Sequence, residues 1–168
     1  RLLVDPVDVD LDLDLPGTKL VVGDGPACDE LKRRYPQAVF AGYRHGEDLA
    51  AHISASDVFV FPSRTDTFGL VLLESMACGV PVAAYPVTGP VDVVVDGVTG
   101  VLRENLREAA LAALQLDPAA CRAHALAHSW EASTRQFLGA LVPVPAAGGA
   151  AHAGPAMPDI ASTTVTRT

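Results

Sequence analysis

One segment of the chain, residues 62–82 (PSRTDTFGLVLLESMACGVPV), combines the groups needed to bind a phosphate. Gly69 stands at the start of a predicted helix, and its lack of a side chain lets a ligand approach the backbone closely. The backbone N–H groups of Phe68, Gly69 and Leu70 would then face that ligand. Helix N-termini that follow a strand of an open α/β sheet are common phosphate sites. The segment therefore predicts an anion-binding helix start.

Two carboxylates bracket this helix start. Asp66 lies just before it and Glu74 lies about one and a half turns in, with seven residues between them. Ionised carboxylates only accept hydrogen bonds, so each can accept from a sugar hydroxyl. A purely structural interpretation is also open, in which Asp66 or Thr67 caps the helix and Glu74 is a solvated acid. Residue types and spacing alone do not decide between the two.

Three basic side chains in loops are further candidates. Arg64 lies in the loop before the helix and can approach a phosphate or an acidic sugar. Arg44 and His45 follow the second apolar run and can contact a ligand or be solvated.

Two histidines and a tryptophan near the end of the chain are interpreted as structural. His124 and His128 have the i, i+4 spacing of some metal ligands, but the sequence offers them no evident Cys or carboxylate partner. We interpret them as surface residues. Trp130 is expected to pack a helix onto the sheet.

Short apolar runs recur along the chain, separated mostly by helical segments. The runs begin every 18 to 24 residues, at residues 19–22, 38–41, 58–61, 82–84 and 100–102. Continuously apolar strands that alternate with helices indicate a parallel sheet covered on both faces. The sequence therefore predicts an α/β fold.

The predicted helices lie between these strands and after the last one. Their ranges are 28–35, 48–54, 69–78, 106–116, 118–128 and 130–141. Gly79 suits the left-handed position beyond the third helix, and Ser129 is a predicted N-cap. The last three helices are expected to pack on the sheet.

The two ends of the chain differ from this alternation. Residues 1–18 are expected to be an irregular lead-in, a remnant of a first-strand region, because Val or Leu alternates with Asp there. Residues 19–142 are expected to form the ligand-binding domain. Residues 143–168 are rich in Ala, Gly, Pro and Thr and are expected to be a disordered tail.

Composition limits the classes of function. With 49% apolar residues in 168, the chain can bury a full core. A net charge of −8 and the lack of a basic stripe remove the driving force for non-specific nucleic-acid binding. The widely spaced Cys28, Cys78 and Cys121 argue against a disulfide framework or a zinc knuckle, and we expect buried thiols in a reducing compartment. No apolar run is long enough to span a bilayer and no leader is evident, so a soluble, unexported protein is expected.

Residues 62–82 also resemble the donor-binding half of the GT-B-fold retaining glycosyltransferases of family 4, the glycosyl transferases group 1. The pattern of that family is P-S-x-x-E-x-F-G-x-x-x-x-E-A-x-A-x-G-x-P-V. This chain matches every fixed position except Asp66, which replaces the first Glu, and Ser75, which replaces Ala. The resemblance extends to GDGP at residues 23–26, VFAGY at 39–43 and GPVDVV at 89–94. It covers roughly residues 19–141 and implies a Rossmann-like domain, the C-terminal half of a GT-B fold.

The resemblance assigns roles to the residues around the helix start. Glu74 is expected to bind the ribose hydroxyls of a nucleotide-sugar, and Asp66 a hydroxyl of the transferred sugar. The backbone amides of Phe68, Gly69 and Leu70 are expected to bind the sugar and the diphosphate. Asp66 is one methylene shorter than the family's Glu, so the sugar must sit closer or turn.

Loops after two other strands are expected to complete the site. Main-chain groups at Tyr43 and Arg44 would hold the base, and Gly23 would lie near the diphosphate. The family also carries an Arg and a Lys just after the first strand of this domain, and together they clamp the diphosphate. This chain lacks that pair: Arg1 stands in the corresponding region, but no Lys precedes Lys19.

By this resemblance the function is retaining transfer of a sugar from a UDP- or GDP-sugar to a lipid or glycan acceptor. Transfer takes place in a cleft between this domain and an N-terminal acceptor domain outside this chain, so the chain alone is expected to be inactive. No metal or other cofactor and no nucleic-acid partner is expected. The expected location is cytoplasmic, with peripheral association of the full enzyme at the inner face of the membrane as a further expectation.

A non-catalytic nucleotide-binding or signalling α/β module is the alternative. A receiver-like signalling domain needs an acidic cluster at the end of the first strand and a Lys near the last strand. The sequence shows neither feature.

Overall fold

A parallel β-sheet forms the centre of the protein. The computed structural model describes residues 2–4, 13–65 and 68–142. Within these residues the strands are β1 (Leu2–Val4), β2 (Lys19–Val22), β3 (Val39–Gly42), β4 (Val58–Phe61), β5 (Val82–Ala84) and β6 (Gly100–Leu102). All neighbouring strands are parallel and their order is β3-β2-β1-β4-β5-β6. The predicted α/β fold class is confirmed.

Helices connect the strands and follow the last one. In the described residues they are α1 (Cys28–Arg34), α2 (Gly46–Ser54), α3 (Leu70–Ala77), α4 (Pro90–Val93), α5 (Leu106–Ala113), α6 (Pro118–Ala127) and α7 (Trp130–Ala140). Gly79 has a φ of +76° just beyond α3, as predicted for a helix C′ position. The hydroxyl of Ser129 accepts the N–H of Ala132, which confirms Ser129 as an N-cap.

The alternation of side chains along β4 divides the core into two layers. Phe59 and Phe61 pack on one face of the sheet, with Leu72 and Met76 of α3. Val58 and Val60 point to the other face, where the buried side of α5 covers them. Every residue of β4 is buried because both faces are covered. β4 is packed on both faces, and the loop that follows it leads to the predicted anion site at the start of α3.

The structure differs from the expected irregular lead-in at residues 2–4. These three residues form β1, which lies between β2 and β4 in the middle of the sheet. In the register, Leu2 is opposite both Lys19 and Val58. A run of three residues is too short to predict a strand from the local sequence. Pairing with β2 and β4 on its two sides stabilises β1 instead. The expected tail after residue 142 lies outside the described residues.

The helices after β6 also depart from expectation. Only α5 of the three packs on the sheet, whereas α6 packs against α3. No residue of α7 is buried, and Trp130 is 81% exposed, so the expected packing of Trp130 onto the sheet is wrong. The short α4 was not predicted, because four residues starting with a proline give no helical periodicity.

The cysteines and Ser75 show how the interior is built. Cys121 is fully buried, but Cys28 and Cys78 are only half-buried, so the expectation of buried thiols holds for one of the three. Burial raises the pKa of the Cys121 thiol. Ser75 is fully buried, and its hydroxyl donates a 3.0 Å hydrogen bond to the carbonyl of Val80. That bond ties the end of α3 to the residues that lead into β5.

Candidate functional site

The candidate residues follow strands of the sheet, and the topology brings them to one edge. Gly23 follows β2, Arg44 lies in the loop after β3, and Arg64 lies in the loop after β4. The strands are parallel, so their carboxyl ends lie at the same edge, and the strand order changes direction between β1 and β4. Open α/β sheets bind ligands at such a switch point. Asp66 lies outside the described residues, so its place beside Glu74 stays a prediction.

The start of α3 has a backbone geometry that favours glycine. Gly69 is the N-cap, with φ of +73° and ψ of +56°, in the left-handed region. A Cβ at this position would lie 2.7 Å from Cδ1 of Leu72. The first turn of α3 carries no acidic side chain, so no negative charge of its own first turn repels an anion there. The positive end of this helix can therefore receive an external anion.

Glu74 lies on an exposed face of α3 and lines a cavity. The cavity has a volume of about 360 Å³ and lies between α3, the end of α6 and the start of α7. Its lining residues are Phe68, Leu70, Leu73, Glu74, Ala77, Ala125, His128, Trp130 and Ser133. Phe68, Leu70 and Glu74 thus line one cavity, and their roles in donor binding stay predictions. Residues from the end of α6 and the start of α7 also line this cavity, and the sequence did not predict them there.

The loop after β2 is tied to the neighbouring strand through Gly23. The N–H of Gly23 donates to the carbonyl of Gly42 at 2.9 Å. A ligand near Gly23 would therefore meet its Cα and not its N–H. The loop borders a cavity of about 250 Å³ whose walls include Asp24 and Cys28.

The loop after β3 contains one exposed ring and one paired arginine. The side chain of Tyr43 is 73% exposed, and its ring lies 5.9 Å from that of His45. Nη1 of Arg44 lies 3.1 Å from a carboxylate oxygen of Asp48. Nε of Arg44 is buried and has no hydrogen-bond partner within the described residues. Arg44 also lines a cavity of about 590 Å³ between α2 and the strands β2 and β3.

Arg64 contacts two residues from loops that follow other strands. Its Nη2 lies 3.0 Å from Oε2 of Glu104, which follows β6. Its guanidinium carbon lies 3.6 Å from the ring centroid of Tyr85, which follows β5. The hydrogen bond to Glu104 is the main cause that raises the pKa of Arg64. Tyr85 and Glu104 were not predicted from the sequence, although Tyr85 directly follows β5 and Glu104 lies two residues after β6 at the same edge.

The two histidines of α6 and its C-terminus contact each other and the backbone. Their rings lie 4.3 Å apart. Nε2 of His124 lies 3.0 Å from the carbonyl of Val93, and Nδ1 of His128 lies 2.9 Å from the carbonyl of His124. His128 is exposed, whereas His124 is partly buried. Among the described residues, no group of three or more His, Cys, Asp or Glu is placed to hold a metal ion.

Within residues 2–4, 13–65 and 68–142, no helix is long and apolar enough to cross a bilayer.

Comparison with known proteins identifies relatives over most of the described residues. A family model described as glycosyl transferases group 1 matches residues 14–116. A D-inositol 3-phosphate glycosyltransferase of Geodermatophilus obscurus is 44% identical over an alignment of 104 residues, and the match covers 57% of this chain and 23% of that protein. A GDP-mannose-dependent alpha-mannosyltransferase of Corynebacterium glutamicum is 39% identical over 83 residues, 49% of this chain and 20% of that protein. The chain thus spans about a fifth of the length of these two relatives.

Solved structures share the fold over a similar range. Anabaena HepE in complex with UDP-glucose has a TM-score of 0.63 and 21% identity, and the match covers 83% of this chain and 49% of that one. Sucrose-phosphate synthase of Thermosynechococcus elongatus has a TM-score of 0.54 and 32% identity, and covers 73% of this chain and 39% of that one. In each case this chain corresponds to one part of a larger protein.

Proposed function

This chain belongs to the glycosyl transferases group 1, and on that premise we propose that it is the donor-binding domain of a retaining glycosyltransferase. The donor is a nucleoside-diphosphate sugar. The single observation that carries this proposal is the start of α3, where a left-handed Gly69 begins a helix with no acid in its first turn. Glu74 follows on the exposed face of the same helix and lines a cavity there. A phosphate site and a hydroxyl acceptor are therefore built on one element.

Each part of the donor has a proposed partner at this edge. Glu74 accepts hydrogen bonds from the ribose hydroxyls, and Asp66 accepts from a hydroxyl of the transferred sugar. The N–H groups of Phe68, Gly69 and Leu70 face the sugar and the diphosphate.

The loops after β2 and β3 hold the rest of the nucleotide. Main-chain groups at Tyr43 and Arg44 hold the base, which leaves both UDP- and GDP-sugars as donors. Gly23 lies near the diphosphate and approaches it through its Cα, because its N–H bonds Gly42.

The charge that develops on the leaving diphosphate must be balanced locally, because the chain as a whole carries a net charge of −8. We propose that the first turn of α3 and the guanidinium of Arg64 supply this balance without a divalent metal. Preorganised dipoles and cations directed at a leaving group commonly contribute the largest single share of a rate enhancement. The sugar is delivered with retention of configuration.

The acceptor is proposed to be a lipid or a glycan, held by an acceptor domain that faces this one across a cleft. The size of the relatives supports this division, because the matched region is about a fifth of their length. Closing such a cleft excludes water and brings the acceptor to the donor. We therefore propose that this chain binds the donor and that transfer requires both domains.

Calorimetric titration of the 168-residue protein with UDP, GDP, UDP-glucose and GDP-mannose tests the proposal, with inorganic phosphate as the control. We expect at least one nucleoside diphosphate and its sugar conjugate to bind more tightly than phosphate. If neither UDP nor GDP binds, the donor-binding proposal is wrong. If both bind but a two-domain protein containing this chain transfers no sugar, the non-catalytic module is the better description.

A further inference from the structure

Arg64 is the centre of a three-residue cluster formed by neighbouring loops at the carboxyl edge. Arg64 follows β4, Tyr85 follows β5 and Glu104 follows β6. The guanidinium lies 3.6 Å from the centre of the Tyr85 ring, and its Nη2 lies 3.0 Å from the Glu104 carboxylate. The guanidinium of Arg64 therefore has one aromatic partner and one carboxylate partner, each from a different loop.

The Arg64–Glu104 pair differs from two other ion pairs of arginines at this edge. Arg44 pairs with Asp48 and Arg103 pairs with Asp96, each within a short stretch of chain. Glu104 lies 40 residues from Arg64 along the chain. Local pairs hold their own loop in shape. The Arg64 pair instead joins the loop that leads into α3 to the loop after β6.

Arg64 also lies five residues before Gly69, the start of the proposed phosphate site. An arginine there can reach an anion bound at the first turn of α3. In this structure Glu104 accepts a hydrogen bond from the guanidinium of Arg64, and such an anion would need the same donor. The pair is exposed, with 51% of the Arg64 side chain and 69% of the Glu104 side chain accessible to solvent. Exposed pairs are weak, so a diphosphate can displace a single carboxylate.

The stacking on Tyr85 makes this exchange geometrically simple. The ring contacts the flat face of the guanidinium, whereas hydrogen bonds leave from its edge. The edge can therefore change partner while the face stays on the ring. Nη2 of Arg64 donates its hydrogen bond to the carboxylate of Glu104.

We propose that Glu104 is an internal competitor for Arg64: it holds the guanidinium edge while the site is empty and yields it to the diphosphate of the donor. The inference rests on the proposed function and adds a residue that lowers the affinity of the site for the diphosphate. The contact keeps a cation ordered beside the site and weakens the hold on the diphosphate. A weaker hold on the diphosphate favours release of the nucleoside diphosphate product.

The test measures binding of UDP and GDP to the Glu104→Gln variant by calorimetry at low salt. We expect the dissociation constant to fall about two- to fivefold, the range that a weak exposed ion pair allows. A gain in affinity cannot result from damage to the fold, because such damage would weaken binding. Glu108→Gln is the matched control: Glu108 lies in the first turn of α5, and its carboxylate contacts Asn105 and not Arg64. That variant is expected to bind as the wild type does.

The double variant Arg64→Gln/Glu104→Gln separates competition for Arg64 from a general effect of charge. If Glu104 acts through Arg64, its substitution brings no gain in the Arg64→Gln background. A gain that persists there, or wild-type affinity in Glu104→Gln, would overturn the inference while leaving the proposed function intact. If the wild type itself binds neither UDP nor GDP, the proposed function fails and the inference fails with it.

Discussion

Substituting Glu74 by Ala tests the central residue of the proposed site. Glu74 lies inside α3, is exposed, and makes no ion pair or side-chain hydrogen bond with another described residue. Alanine is the best helix former, so the substitution does not weaken the helix. We therefore expect an unchanged melting temperature, and any change in nucleotide affinity reports on the ligand contact.

The size of the effect follows from the chemistry of the contact. A hydrogen bond to a charged acceptor contributes roughly 1.5–3 kcal/mol. Glu74 is open to solvent, which screens its charge and places the contact at the lower end of that range. A loss of about 1–2 kcal/mol corresponds to a dissociation constant about 5- to 30-fold higher.

Calorimetry with UDP, GDP and their 2′,3′-dideoxy analogues measures this loss and assigns it to the ribose. The wild type should bind the dideoxy analogue more weakly, whereas Glu74→Ala should bind both forms equally. Glu30→Ala is the control for charge, because α1 lies on the face of the sheet opposite α3. Normal binding by Glu74→Ala, or an equal loss in Glu30→Ala, would refute the assignment of Glu74 to the ribose.

Four further predictions follow from the same structure. UDP or GDP should bind with the same affinity in EDTA and in Mg²⁺, and a strict need for Mg²⁺ in calorimetry would contradict the metal-free proposal. The chain alone should transfer no radiolabelled sugar from UDP-glucose or GDP-mannose to a mixed acceptor extract, and transfer without an added acceptor domain would show that this chain holds the whole active site. Ser75→Ala should lower the free energy of unfolding in urea by about 1 kcal/mol, since it removes the buried bond to Val80; exposed Ser54→Ala is the control, and equal midpoints would count against that role. The N–H of Leu102, with Arg103, lowers the pKa of Asp96, so this carboxylate adds stability above the ordinary Asp pKa near 4 that is lost as pH falls through the lowered pKa. Asp96→Asn should therefore reduce the acid-side slope of stability in urea titrations, and an unchanged slope would contradict this.

Much of the fold can be predicted from the sequence because its strands are buried on both faces. Continuous apolar runs such as residues 58–61 have few alternatives to a central parallel strand. The positions of Gly69 and Gly79 at the ends of α3 are equally well determined, because both adopt a positive φ.

What the sequence does not reveal depends on the order of the strands in space. The contact of Arg64 with Tyr85 and Glu104 exists only because β4, β5 and β6 are neighbours. The exposure of Trp130 likewise depends on where α6 ends relative to α3. Local propensity carries no information on either. Residues that match a known pattern can thus be named from the sequence, whereas their contacts with other loops cannot.

The position of β1 also has a consequence for how the chain folds. β1 is the first strand in sequence, yet it joins β2 and β3 on one side to β4, β5 and β6 on the other. Until Leu2 pairs with Val58, each of these two parts keeps an open backbone edge. Such edges template pairing with other chains, and pairings between residues far apart in sequence form slowly. As long as β1 is unpaired, two backbone edges in the middle of this sheet are therefore open to pairing with other chains.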